Sequence, residues 1–264
     1  MRGAVVVLCA LFVPLAVHAD SSRTRQASVR RFLVSVPGEG LYLYDLKGVE
    51  LWSYRCEPYD ACETSRGTIL VTDRRAGRVF TVNREGQVLW EKLGLQGPVN
   101  AEPLDNGNVL ALENDTGRVL EINPAGDIVR EIGGHRTPFD ALRRSNGNTV
   151  VADSANGRIV EYDPQGGQIR QTVGLKFPNG LCLLPGGRTL FTTYTNGTVG
   201  ELDATGTLVW ERKVGGTLYS VAPEGSTLWV SDGVAGRVLQ ITREGAVLRD
   251  IKLAKPFVDL SFCR

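Results

Sequence analysis

An all-β ring of six four-stranded sheets is predicted by three observations: a repeat of about 40 residues, strand-like patterning within it, and two chain ends that complete one another. The repeat is plainest in GRVFTVNREGQVLW from Gly77, GRVLEINPAGDIVR from Gly117, GRIVEYDPQGGQIR from Gly157, GTVGELDATGTLVW from Gly197 and GRVLQITREGAVLR from Gly236. The steps between these glycines are equal except the last, which is one position shorter. A sixth copy, GLYLYDLKGVELW from Gly40, has its turn glycine at Gly48, almost a full period before Gly86. Units of this length cannot bury their apolar faces alone and must stack on neighbours.

Each copy contains short β-branched runs such as TILVTD, NTVVAD and STLWVSD, bounded by Gly, Asn, Asp and Pro. No stretch sustains a helical period long enough for a helix. Four strands per repeat follow. In the copy around Gly117 they run over 99–104, 108–113, 118–123 and 127–132, with a tight Asn-Pro-Ala-Gly turn between the last two. A proline opens the first strand at Pro58, Pro98, Pro138, Pro178 and finally Pro256, where KPFVDLSFCR supplies one strand and the sequence stops. The N-terminal copy, starting at RRFLVSV, lacks that first strand. The last strand therefore fills the missing place, which closes the ring as a six-bladed β-propeller and removes its free edges.

The segment 1–19, MRGAVVVLCALFVPLAVHA, reads as a secretory leader: Arg2 gives the positive end, 4–17 the apolar stretch, and Val17 and Ala19 the small side chains before cleavage. Positions 20–29 are a polar lead-in, and 30–264 form the propeller. The expected location is secreted or periplasmic, with no membrane span, because no later apolar run approaches the length a spanning helix needs. Losing Arg2 leaves 29 basic groups against 29 acidic ones. With no Lys/Arg run either, a nucleic-acid partner is not expected. A monomer binding a protein or small-molecule ligand is.

Repeats can be compared with one another. Four positions before each repeat glycine stand Asp73, Glu113, Asp153, Thr193 and Asp232, and one after it Arg78, Arg118, Arg158, Thr198 and Arg237. Acid and arginine vanish together in one copy, so each pair should bridge a hairpin. Four positions after the turn glycine stand Trp52, Trp90 and Trp210, or Arg130, Arg170 and Arg249, flat side chains suited to lie across a neighbouring blade. Where the first strands open onto the central channel, the sequence places Asp60, Asn100, Asp140 and Asn179. These are the expected ligand-binding residues, and as oxygen donors they are also candidate Ca²⁺ ligands. At strand entrances such residues also bond neighbouring backbone amides. His135, the one histidine after the leader, lies in a loop leading to the Pro138 strand and is a further ligand-binding candidate. No catalytic residues are assigned. Cys56, Cys62, Cys182 and Cys263 allow three pairings in an oxidising compartment, of which Cys56–Cys62 is the most local.

DSANGRIVEYDPQG (153–166) resembles the NHL-type propeller repeat, and DATGTLVW (203–210) resembles the repeat of pyrroloquinoline-quinone-type propellers. FPNGLCLLPGGRTLFTTY (177–194) is similar to the Asn-Gly-Leu blade of the six-bladed gluconolactonase and strictosidine-synthase-like proteins. The resemblance implies a six-bladed propeller and, from the last group, a Ca²⁺-dependent lactonase or ester hydrolase as the alternative function. Asn179 matches that family's Asn ligand and Glu57 approximates its Glu. The third acid is missing, since the following blade reads GGTLYSV from Gly215.

Overall fold

A computed structural model describes residues 30–263; the expected leader and lead-in lie outside the described residues. Six antiparallel four-stranded sheets surround a central channel. Blade 1 comprises Arg31–Val36, Gly40–Asp45 and Glu50–Tyr54, with Asp259–Cys263 as its innermost strand. Blades 2 to 6 begin with the inner strands Asp60–Glu63, Pro98–Pro103, Pro138–Arg143, Pro178–Leu183 and Leu218–Glu224. The predicted closure is the observed one: Phe32 pairs with Phe262 and Val34 with Leu260. Blade 3 follows the predicted pattern, with strands Pro98–Pro103, Val109–Glu113, Arg118–Ile122 and Ile128–Ile132.

Burial explains the composition of each strand. The second strands, covered on both faces, are largely apolar: every residue of Ile69–Asp73 and Thr149–Asp153 is buried. The outer strands alternate, as in Val88–Lys92. All six outer hairpins carry a register shift, which increases local twist and blunts the exposed edge. Among the described residues six hydrophobic clusters fill the structure, each at the interface between two neighbouring blades. At the closing interface Trp229 of blade 6, fully buried, meets Phe32 of blade 1 edge-on with ring centroids 5.6 Å apart.

Three of the six flat outer side chains bond across interfaces as expected, whereas Arg170 pairs with Glu161 and Arg249 lies over Trp229, each within its own blade. Trp52 Nε1 donates to the Arg84 carbonyl (2.9 Å), Trp90 Nε1 to Pro124 (3.0 Å) and Arg130 Nη2 to Asp163 (2.5 Å). Each acceptor lies in the outer turn of the next blade.

The cysteines depart from expectation, since none of the four forms a disulfide. The Cys56–Cys62 bridge fails because the two thiols serve different interfaces: Cys56 packs with Leu41 and Phe80 between blades 1 and 2, Cys62 with Leu70 and Ala111 between blades 2 and 3. Burial pushes the Cys56 and Cys263 thiols up to about 12.

Removing residues 256–264 should therefore abolish cooperative unfolding and expand the hydrodynamic radius, because blade 1 loses its inner strand and the closing cluster loses Phe257 and Leu260. Trp229→Ala should leave the ring closed and cost about 3–5 kcal/mol in denaturant titrations.

Candidate functional site

One residue of each inner strand occupies the same place around the channel: Asp60, Asn100, Asp140, Gly180, Ser220 and Asp259. Inner strands of neighbouring blades form no ladder with each other, so their sideways-pointing amides need other acceptors. The ring residues supply them. Asp60 Oδ2 accepts the Ala101 N–H (3.0 Å), Asn100 Oδ1 that of Ala141 (3.3 Å) and Asp140 Oδ2 that of Leu181 (2.6 Å). Asp259 accepts from Ala61 of blade 2, and across the closing interface Ser220 Oγ of blade 6 donates to Asp259 Oδ1 (3.3 Å). Two blades differ: Ser220 of blade 6 donates rather than accepts, and blade 5 offers no side chain. A Cβ at Gly180 would lie 1.9 Å from the Tyr219 carbonyl oxygen, so that place admits no side chain.

These groups line a cavity of about 510 Å³. The preceding residues, Tyr59, Val99, Phe139, Asn179, Tyr219 and Val258, give it an aromatic and apolar collar. Tyr194, on the hairpin of blade 5, stands edge-on to Tyr219 at 5.6 Å, and the Arg74 guanidinium lies 5.8 Å from the Tyr59 ring centre. Burial pushes the Asp60 and Asp140 carboxyls well above the usual carboxylate range. Asp60 is raised further by the neighbouring Asp259 carboxyl, which is itself raised by burial. Asp140 Oδ1 is buried without a donor. Glu102, two positions along from Asn100, accepts the Arg143 N–H (2.7 Å), and burial pushes its carboxyl up to about 7.

Asp60, Asn100, Asp140 and Asn179, singled out from sequence, are thus brought together on the channel. Asn179 is buried, and its Nδ2 donates to the Leu218 carbonyl (3.2 Å). As Ca²⁺ ligands they fit poorly. Asp60 and Asp140 already accept backbone amides, and among the described residues no three His, Cys, Asp or Glu side chains gather into a metal-ligating group. His135 stands apart from the channel lining. It is buried, with Nδ1 3.0 Å from the Gly117 carbonyl and Nε2 2.9 Å from Tyr162 Oη, and burial lowers its pKa, so a neutral ring serves the interface between blades 3 and 4.

The hairpin pairs predicted from repeat comparison form: Arg78–Asp73 (3.2 Å), Arg118–Glu113 (2.7 Å), Arg158–Asp153 (2.7 Å) and Arg237–Asp232 (3.1 Å). In the exceptional copy Thr193 Oγ1 accepts the Thr198 N–H (2.9 Å) instead. Each acid also holds a backbone amide, as Asp153 does for Arg136 (2.7 Å). Their role is to fix the loops around the channel mouth.

Sequence reasoning missed Asp259, Ser220, Tyr59, Tyr219 and Glu102. Asp259 stands three positions after its proline where Asp60 and Asp140 stand two after theirs, and the blade containing Ser220 opens without a proline. Aligning on the repeat glycines, with the shorter last step allowed for, would have found both.

The chain belongs to the propeller family described as outer membrane protein assembly factor BamB, whose profile matches residues 38–245. Its repeat is the pyrroloquinoline-quinone type; the findings carry neither the NHL nor the gluconolactonase likeness. No curated protein matches the chain significantly. Among solved structures, a Bacteroides caccae protein of unknown function is 19% identical, with a TM-score of 0.72 over 88% of this chain and 98% of that one. Virginiamycin B lyase from Staphylococcus aureus is 15% identical (TM-score 0.66, 86% and 85% covered). A chain of a nidogen/laminin complex is 12% identical (TM-score 0.69, 86% and 95% covered). At these identities the likeness is one of fold.

Glu102 gives a pH prediction. Its carboxyl ionises near 4.5 when unfolded and near 7 when folded, so the folded state holds the extra proton between those values and stability falls as pH rises from about 4.5 to 7. Since Glu102 borders the channel, screening leaves an effect of about 1–2 kcal/mol. Glu102→Gln, which keeps the acceptor for Arg143, should flatten that slope in thermal melts and raise the melting temperature above pH 7.

Proposed function

We propose that the protein is an exported binding propeller that takes a small ligand, or one side chain of a protein partner, into the channel mouth, and that it catalyses no hydrolysis. One observation carries this reading. The lateral bond between inner strands is made by Asn100 as well as by Asp60 and Asp140, and blade 5 does without a side chain there. Buried carboxyls are costly where an amide suffices. Closing the ring therefore does not demand acids at 60, 140 and 259. Acids facing one cavity beneath tyrosine faces suit a ligand that brings hydrogen-bond donors or positive charge.

Binding without turnover is supported by how the channel groups are engaged. Asp60 and Asp140 are fastened to backbone amides, the histidine is absent from the lining, and burial raises the Tyr59 hydroxyl to about 12. Ser220 Oγ does donate to Asp259 Oδ1, but that carboxyl is already tied to the Ala61 amide and, among the described residues, no histidine lines the channel to activate the hydroxyl. An exported location is supported by the leader-like segment 1–19 and by the family's description as an outer-membrane assembly factor. Among the described residues no helix is long and apolar enough to cross a membrane.

Thermal-shift titration with the tripeptides Gly-Lys-Gly and Gly-Arg-Gly tests the reading. The melting temperature should rise by about 2–5 °C near saturation, and Asp140→Asn with Tyr219→Ala should remove the rise. In parallel, a panel of lactones and esters should show no turnover. Hydrolysis that disappears in Asp60→Asn would overturn the proposal in favour of a hydrolase.

A further inference from the structure

At the opposite mouth of the channel lies a second concavity, of about 810 Å³. It is built where the first turns of blades 4, 5 and 6 meet the outer turn of blade 6. Its lining includes Arg143, Arg144, Arg188 and Arg243 and, among the described residues, contains no aspartate or glutamate. The volume suits a small organic ligand. Arg143 and Leu183 border both this hollow and the channel cavity.

The charge around it is not balanced. Glu201, buried beneath, is shared by Arg188 (Nη1–Oε1 2.8 Å) and Arg243 (Nη2–Oε2 2.6 Å). Glu161, also buried, is shared by Arg144 (Nε–Oε2 3.0 Å) and Arg170. Arg143 pairs with Glu121 at 2.8 Å, yet its Nε is buried without an acceptor. The four arginines that line the hollow thus pair with three carboxylates, an excess of one positive charge. A guanidinium has five donors in a fixed fork, and the pairs above leave Arg188 and Arg243 with further N–H groups to offer. These two are also the more exposed, their side chains 47% and 37% accessible. Their shared glutamate anchors Arg188 by a hydrogen bond and Arg243 by charge, since Glu201 Oε2 accepts no hydrogen bond, which lowers the entropy lost on capturing an anion.

We propose that the hollow formed by Arg143, Arg144, Arg188 and Arg243 at the far mouth of the channel binds a phosphorylated or sulfated small molecule. The chemistry is that of planar, bidentate donors meeting tetrahedral oxyanions. Ser145 and Asn146 complete the wall with polar groups. A free solute fits the concavity better than a headgroup held in a bilayer plane. The site is distinct from the channel-mouth site proposed above, and neither depends on the other.

Inorganic pyrophosphate is the probe, read by calorimetry and thermal shift on the whole protein. Binding in the millimolar range or tighter is expected, weakening as salt is raised. Removing Arg188 or Arg243 strips a buried glutamate of a partner and can unfold the protein, so the decisive variants are Ser145→Asp and Asn146→Asp. The second keeps the acceptor that Asn146 offers the Asn148 N–H (3.1 Å). Together they should weaken pyrophosphate about tenfold, the effect of two like charges on the wall of the site. Ser65→Asp, at the equivalent turn of blade 2, should leave affinity unchanged. No pyrophosphate binding at about 10 mM, which bounds the affinity at millimolar strength, would overturn the proposal. So would equal binding by the Ser145/Asn146 double variant. Binding to vesicles of phosphatidylglycerol in the absence of pyrophosphate binding would also overturn it, since the site would then be reading a surface.

Discussion

The contact between neighbouring blades is the constraint on which this protein rests. A blade alone is a twisted four-stranded sheet with two apolar faces, and no hydrogen-bond ladder joins it to the next. Cohesion comes from an apolar cluster at every interface, joined at several of them by flat outer side chains bonded to the next blade's turn and by inner polar side chains accepting the next blade's amides. Because the steps are equivalent, the chain can be read once and multiplied. The step that joins its two ends is the exception. There the inner strand comes from the C-terminal segment, and Phe32, Trp229 and Phe257 are drawn into one cluster from distant parts of the sequence.

That dependence explains what the sequence made legible. Periodicity revealed blade number, strand order and closure, since all three follow from counting repeats and asking which strand each end lacks. It also revealed the acid–arginine hairpins, because the joint loss of both partners at Thr193 and Thr198 is a signal that only an internal repeat provides. Asp60, Asn100, Asp140 and Asn179 were found for the same reason. Side-chain direction was less accessible. Nothing in the spacing of Cys56 and Cys62 reveals that blade 2 stands between them, and nothing around His135 announces that Tyr162, well along the chain, will take its second nitrogen.

The arginine hollow was illegible for a further reason. Arg143 and Arg144 are adjacent, but Arg188 and Arg243 come from other blades, and each is spaced from an acid in a way that reads as ordinary surface pairing. Balanced whole-chain charge said nothing about local balance. A ring fold turns each repeat position into one sector of a circle, so residues far apart in sequence accumulate on one mouth. Composition arguments about partners are weakest for such folds.

The two mouths differ in how their charges are supported. Arginines at the far mouth remain ionised whatever their surroundings, so their excess charge is permanent and needs only shared glutamates to fix it in space. The channel carboxyls respond to burial instead: burial raises Asp60, Asp140 and Asp259, and the Asp259 carboxyl raises Asp60 further. A cationic guest would favour the ionised forms and release protons on binding, coupling occupancy of the channel to pH. Asp259 feels that change directly: it sits on the strand that closes the ring, holds the amide of Ala61 in blade 2, and takes a bond from Ser220 Oγ of blade 6 across the closing interface. Charge in the channel and closure of the circle thus meet at one residue, Asp259.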